Sequence, residues 1–241
     1  MPAVANARQR ARLELEQVIK TTAGRHLADS GASALSLRAV ARELGMASSA
    51  LYRYYASRDA LLTALIVDAY DAVGGRAEQA DEQAVSDGAT PALRWLAVCR
   101  GVRQWAVESP HEFALVYGSP VPGYRAPVDT VAPAIRLSEV MAGIVLAAAR
   151  QGSLRPPARP LVGPRLVTEA VAEVAGGWPA APYEDLLERS LVLLASLTGT
   201  ISYLQFGHLH RALLDEDAWF DVAMAVAAEG VGLDLPMGPG A

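Results

Sequence analysis

Two short apolar stripes separated by a single glycine constrain this chain more than any other feature. Leu37, Val40, Ala41 and Leu44 fall on one face of two helical turns, which Ser36 opens as N-cap and Gly45 stops. After Gly45-Met46-Ala47, the segment from Ser48 to Tyr55 offers Leu51 and Tyr55 at i, i+4 spacing as inward anchors. That spacing leaves Ser48, Ser49, Tyr52 and Arg53 facing outward. Gly45 permits the turn, Val40, Leu44 and Leu51 pack the pair together, and the second helix is free to enter a major groove. The arrangement is that of a helix-turn-helix.

Amphipathic segments flank the pair. From Arg8 to Ser30, Leu15, Ile19, Ala23 and Leu27 recur every fourth residue with Val18 alongside, which predicts a first helix ended by Gly31 as an αL cap. Ser57 caps a fourth helix over 58–75, with Asp59 in its first turn near the positive dipole end and Leu62, Leu65, Ile66, Ala69 and Val73 as its stripe. This helix links head to body. Its pattern fades through Gly74-Gly75 and a polar stretch to Gly88, either a solvated continuation or a loop.

The run from Leu37 to Leu62, LRAVARELGMASSALYRYYASRDALL, resembles the DNA-binding signature of the TetR family of repressors, over about fifty residues with the first helix included. The resemblance implies that Ser48, Ser49, Tyr52 and Arg53 read bases. Arg53 either forks onto guanine or rests on phosphate, and small residues at Ser48 and Ala50 allow close approach. It implies further that Ser36, Arg38, Tyr54 and Arg58 clamp phosphates and fix register. Ala47 departs from the Ser or Thr that often opens the family's reading helix, so the cap falls to Ser48 or is absent. Arg8, Arg10 and Arg12 form either a solvated helix face or an arm that adds phosphate or minor-groove contacts.

Charge supports a head distinct from the body. Net charge is −5, but residues 1 to 60 hold nine basic and five acidic side chains, a surplus of +4, and the rest holds twelve and twenty-one, a deficit of −9. Only the head is then suited to approach phosphate. A domain over 1–60 and a larger one over 61–235 follow, with a disordered tail at 236–241. The Ala-, Leu- and Val-rich composition, with Pro and Gly gathered in a few stretches, predicts an all-α fold, and 241 residues suffice for both domains.

In the body, Thr90-Pro91 and Ser109-Pro110 each start a helix as cap plus N1 proline, the second with Glu112 completing a capping box. A strongly apolar helix runs from Asp129 or Thr130 to Gln151. Loops over 152–164 and 176–182 bracket a short helix from Arg165 to Ala175. The longest element, Glu184 to Leu214, is apolar on more than one face, and Asp217 to Glu229 closes the fold. Such a helix calls for burial on two sides, which points to a homodimer formed through the last two helices.

Trp105, Ser109-Pro110, Phe113, Tyr117-Gly118 and Pro120-Val121-Pro122-Gly123-Tyr124 are similar to a C-terminal class of these regulators that shares a Trp-His-Gly motif. Here Leu194, Thr198 and Gly199 stand at that motif, so no role of its His carries over. Trp95, Cys99, Trp105, Phe113, Tyr117, Met141 and Tyr203 form the pool from which an effector pocket would be drawn, against the alternative that they are core.

Other function classes find little support. Glu108, His111, Glu112, His208 and His210 are the available acids and bases of a helical enzyme, yet no nucleophile-base arrangement, phosphate loop or metal spacing accompanies them. His208 and His210, at i, i+2, point apart on a helix. An adaptor keeping the head for shape alone does not account for the basic head. Cys99 is the single cysteine, so no intrachain disulfide forms. The longest apolar run, Ile144 to Ala149, is too short to span a bilayer. The expectation is a cytoplasmic, non-enzymatic repressor without cofactor or metal, binding palindromic double-stranded DNA as a homodimer and released by a small apolar effector.

Overall fold

A computed structural model describes residues 2–156, 159–161 and 163–235. Among them the chain is all-α, with ten helices and no strand. The helices are α1 (Pro2–Ser30), α2 (Leu37–Glu43), α3 (Ser48–Leu51), α4 (Arg58–Ser86), α5 (Pro91–Glu108), α6 (Pro110–Tyr117), α7 (Val131–Arg150), α8 (Glu169–Val174), α9 (Leu186–Gln205) and α10 (Glu216–Glu229). The tail expected at 236–241 lies outside the described residues.

The chain divides into two compact units, Met1–Tyr70 with Ser109–Val131, and Asp71–Glu108 with Ala132–Ala241. The first unit is larger than a head confined to 1–60, and its core explains why. Ile19, Ala23 and Leu27 of α1 and Val40, Ala41 and Leu51 of the short helices are buried together with Leu61, Leu62, Leu65 and Ile66 of α4. Leu115, Val116, Val121 and Tyr124, distant in sequence, pack against the same cluster. Tyr124 adds a hydroxyl contact to Thr63 at 2.9 Å. Val18, expected beside the α1 stripe, is exposed instead. Gly31 ends α1 at φ 75° and ψ 162°, a region beyond the αL cap and open to glycine alone.

In the second unit α10 packs on α9 and α5, and α5 on α9. Trp95, Cys99, Val102, Leu193, Leu197, Ile201, Phe220 and Met224 are buried, and Trp95 Nε1 donates to the Met224 carbonyl at 3.1 Å. Of the two alternatives for Gly74-Gly75 the helix continues, and Arg136 of α7 comes close to it there. A Cβ at Gly74 would lie 2.7 Å from Arg136 Cβ. The Arg136 guanidinium meets Asp71 at 2.7 Å and Glu78 at 2.6 Å, one turn to either side.

Several boundaries differ from the sequence pattern for local reasons. Thr90 Oγ1 caps α5 by accepting from Leu93 N, but Ser109, at ψ 60°, makes no side-chain cap bond, so the expected capping box does not form. The long element ends at Gln205, where Gly207 turns to φ 74° and His208 N bonds back to the Tyr203 carbonyl. Asp215 then opens α10 by accepting from Asp217 N and Ala218 N. By length and composition alone Val128–Arg150 is apolar enough to cross a membrane. Its Leu137, Met141, Ile144, Val145 and Ala148 are buried in the second unit, and Arg136 places a charge within it.

Candidate nucleic-acid interface

The turn between α2 and α3 is built from backbone bonds that a glycine makes possible. Gly45 sits at φ 64°, its N–H donates to the Arg42 carbonyl, and Met46 N reaches back to Ala41. Ser36, extended at φ −135°, accepts from Ala39 N at 3.4 Å and so caps α2. Ala47 occupies the N-cap of α3 without a side-chain bond, so the cap is absent rather than moved to Ser48. The reading helix is also shorter than expected. After Leu51, Arg53 N and Tyr54 N bond to Ala50 and Leu51 in tight i→i+3 turns.

Leu51 is fully buried and fixes α3 against the core. Ala47, Ser48, Ser49, Tyr52 and Arg53 are exposed, as is Arg38. Tyr54 and Tyr55 are half-buried against the core, and burial above all, with Glu16 and Asp68 nearby, pushes the Tyr55 hydroxyl up to about 12. Arg12 lies over the Tyr54 ring at 5.7 Å.

Four acids of this unit, Glu16, Glu43, Asp59 and Asp68, are occupied by nearby bases. Arg12 pairs with Glu16 at 3.0 Å and Lys20 with Asp68 at 2.6 Å. Arg25 and His26 both meet Glu43, at 2.9 and 2.6 Å, and the His26 hydrogen bond first, then Arg25, holds the Glu43 carboxyl below its ordinary range. Arg58 donates to the Ala32 carbonyl at 2.7 Å and to Asp59 at 3.3 Å, bracing the segment after α1 against the start of α4. Arg38, Arg42 and Arg53 are exposed and, among the described residues, in no ion pair. Arg38 and Arg42, one turn apart, share the side of α2 away from its buried Leu37, Val40 and Ala41.

The seven residues named for an effector pocket are not brought together. Trp95, Cys99 and Trp105 are buried on α5, and burial pushes the Cys99 thiol well above its ordinary range. Phe113 and Tyr117 belong to the first unit, where their rings lie 5.2 Å apart and Tyr70 meets Tyr117 edge-on at 6.3 Å. Tyr203 is 57% exposed. Of the seven, Met141 lines an apolar cavity of about 60 Å³ walled by α7, α8 and α9. Its other lining residues on α7, Ser138, Ala142, Val145 and Leu146, were legible as one face at i, i+4, i+7 and i+8, but they are smaller than the aromatics of that pool.

Two family models match the chain: that of bacterial regulatory proteins of the tetR family over residues 19–65, and that of the tetracyclin repressor-like C-terminal domain over residues 95–227. The HTH-type transcriptional regulator Rv1816 of Mycobacterium tuberculosis (strain H37Rv) is 36% identical over 228 residues, covering 92% of this chain and 96% of that protein. The crystal structure of SCO4313 superposes with a TM-score of 0.69 at 28% identity, covering 92% and 98% of the two chains. The TetR family regulator PfmR of Thermus thermophilus shares the fold at a TM-score of 0.52 and 19% identity, over 89% and 96%. With its helix-turn-helix in the first unit and its larger helical second unit, this chain belongs to the TetR family of DNA-binding transcriptional regulators.

Proposed function

We propose that the protein is a cytoplasmic, non-enzymatic repressor that binds a palindromic operator as a homodimer and is released by a small apolar effector. The observation that carries the reading is the set of exposed, unpaired arginines Arg38, Arg42 and Arg53 around a short helix that presents Ser48, Ser49 and Tyr52. In this reading Arg53, Tyr52, Ser48 and Ser49 meet base edges, and Ala47 lets the backbone come close. Ser36, Arg38 and Tyr54 hold phosphates, and Arg58 reaches phosphate with the donors its bonds to Ala32 and Asp59 leave free.

An apolar strip supports pairing of two copies. Leu191, Val192 and Tyr203 on α9 and Val222 and Val226 on α10 are all exposed by 43% or more. Large apolar side chains left exposed on two helices that pack together are what a second subunit covers. Two heads so joined would meet successive major grooves about 34 Å apart, hence the palindrome. An effector that favours a different head spacing lowers operator affinity by its differential affinity for the two states.

The test is a footprint of the purified protein at stated salt on the DNA flanking its own gene, backed by random-sequence selection and sedimentation. A protected palindrome bound by a dimer is the expected result. No palindrome in either experiment, or a monomer on the DNA, would contradict the reading.

A further inference from the structure

The cavity walled by α7, α8 and α9 has a lining that selects its occupant. Met141, Ala142 and Val145 of α7 face Val171 and Val174 of α8 and Leu187 of α9 across it. Among the described residues no charged side chain lines it, and Ser138 and Ser190 are its polar residues. We infer that this cavity is the effector site, and that its ligand is an uncharged, single-ring-sized apolar molecule carrying at most a hydroxyl or similar donor. The inference rests on the effector reading above and narrows it to one place and one chemical class.

Three observations carry it. Size comes first: at about 10–15 Å³ for each water, about 60 Å³ holds roughly four to six waters, the displacement of one small ring rather than of a fused or long-chain compound. Charge comes next, because an ion in a wall without counter-charge loses its hydration for nothing in return. The third is the direction of the one defined polar group. Ser190 Oγ donates its hydrogen to the Leu186 carbonyl at 2.7 Å, so it offers lone pairs to the cavity and favours a ligand that donates.

The site also lies where an occupant can act. Its α7 wall begins at Ser138, two residues after Arg136, which is bonded to Asp71 and Glu78 of α4 across Gly74. Since α4 is one continuous helix from Arg58 to Ser86, a ligand that shifts α7 pulls on the helix that also carries the Ser57 cap of the reading head.

A charge series of nearly equal size tests the proposal on the full chain: toluene, benzyl alcohol, benzoate and benzylammonium. With methyl-labelled methionine, the Met141 signal, identified by its loss in Met141→Leu, reports the wall, and Met224, buried on α10, serves as the internal reference. Toluene and benzyl alcohol are expected to move the Met141 signal and raise Tm, and the two ions to bind at least tenfold more weakly. Ala142→Leu fills the space and weakens both neutral compounds at least tenfold. Should that variant not fold, Ser190→Ala is expected to weaken benzyl alcohol but not toluene. No response of Met141 to either neutral compound, equal binding of the ions, or unchanged affinity in both variants would overturn it. Duplex binding by the wild-type protein without any of these compounds is measured in parallel. Duplex binding with a silent cavity defeats this inference alone, whereas no duplex binding defeats the regulator reading.

Discussion

The second unit fastens helix to helix with paired arginines, whereas the first leaves three exposed on and beside its helix-turn-helix. In the second, Arg94 closes on Asp81 through two bonds of 2.7 Å, Arg100 on Asp221, Arg103 on Asp217, and Arg136 on Asp71 and Glu78, so each fastens one helix to another. In the first, Arg38, Arg42 and Arg53 stay exposed and unpaired among the described residues, while Glu16, Glu43, Asp59 and Asp68 are already matched by other bases. Net charge therefore misleads as a guide to function. An overall −5 coexists with three arginines in no ion pair among the described residues, because the acid surplus sits wholly in the other unit.

The largest effect that sharpens this contrast comes from the packing that presents the reading face. Leu51→Ala removes a fully buried anchor and is expected to cost about 2–5 kcal/mol. Chemical denaturation followed by head and body probes should show the first unit melting early and duplex binding lost with it, and coincident melting of both units would break the division.

Arg94→Ala comes next. The pair is 15% and 19% exposed, and an orphaned Asp81 carboxylate is expected to lower stability by about 1–3 kcal/mol. Duplex affinity and its salt dependence should not change, and a change in either would mean that the body arginines also serve DNA.

The smallest effect is electrostatic. Glu43 titrates below its ordinary range in the folded state, so its contribution to stability is present above the unfolded carboxylate pKa and fades as pH falls through the lower folded value. An NMR titration should place its midpoint below that of a free glutamate, and His26→Ala should raise it. A midpoint unmoved by His26→Ala would remove His26 as the cause.

Most local features of the head were legible in the sequence, and features set by distant contacts were not. The Ser36 cap, the Gly45 turn, the Leu51 anchor and the Ser57 cap rest on spacings of three or four residues, and all four are in place. The need for a glycine at 74 comes from Arg136, sixty-two positions away, whose stem lies where a side chain would otherwise stand. The membership of Leu115, Val116 and Tyr124 in the first unit's core is likewise set by contacts far along the chain. The α7 face of the cavity shows in the residue spacing, but nothing marks it as a space, because it is lined by small side chains such as Ala142 and Val174, whereas large aromatics such as Trp95 and Phe113 fill the core. The missing cap at Ala47 and the short α3 are departures at the very element proposed to read DNA.

Duplex affinity across a salt series shows whether phosphate and base are the partners of Arg38, Arg42 and Arg53. The wild-type protein is compared with Arg38→Ala/Arg42→Ala/Arg53→Ala, with Tm measured on both. The expected result is an unchanged Tm, weaker binding, and a slope of log K against log salt that is shallower by about 0.9 for each phosphate no longer neutralised. An unchanged slope, with affinity intact, would contradict it.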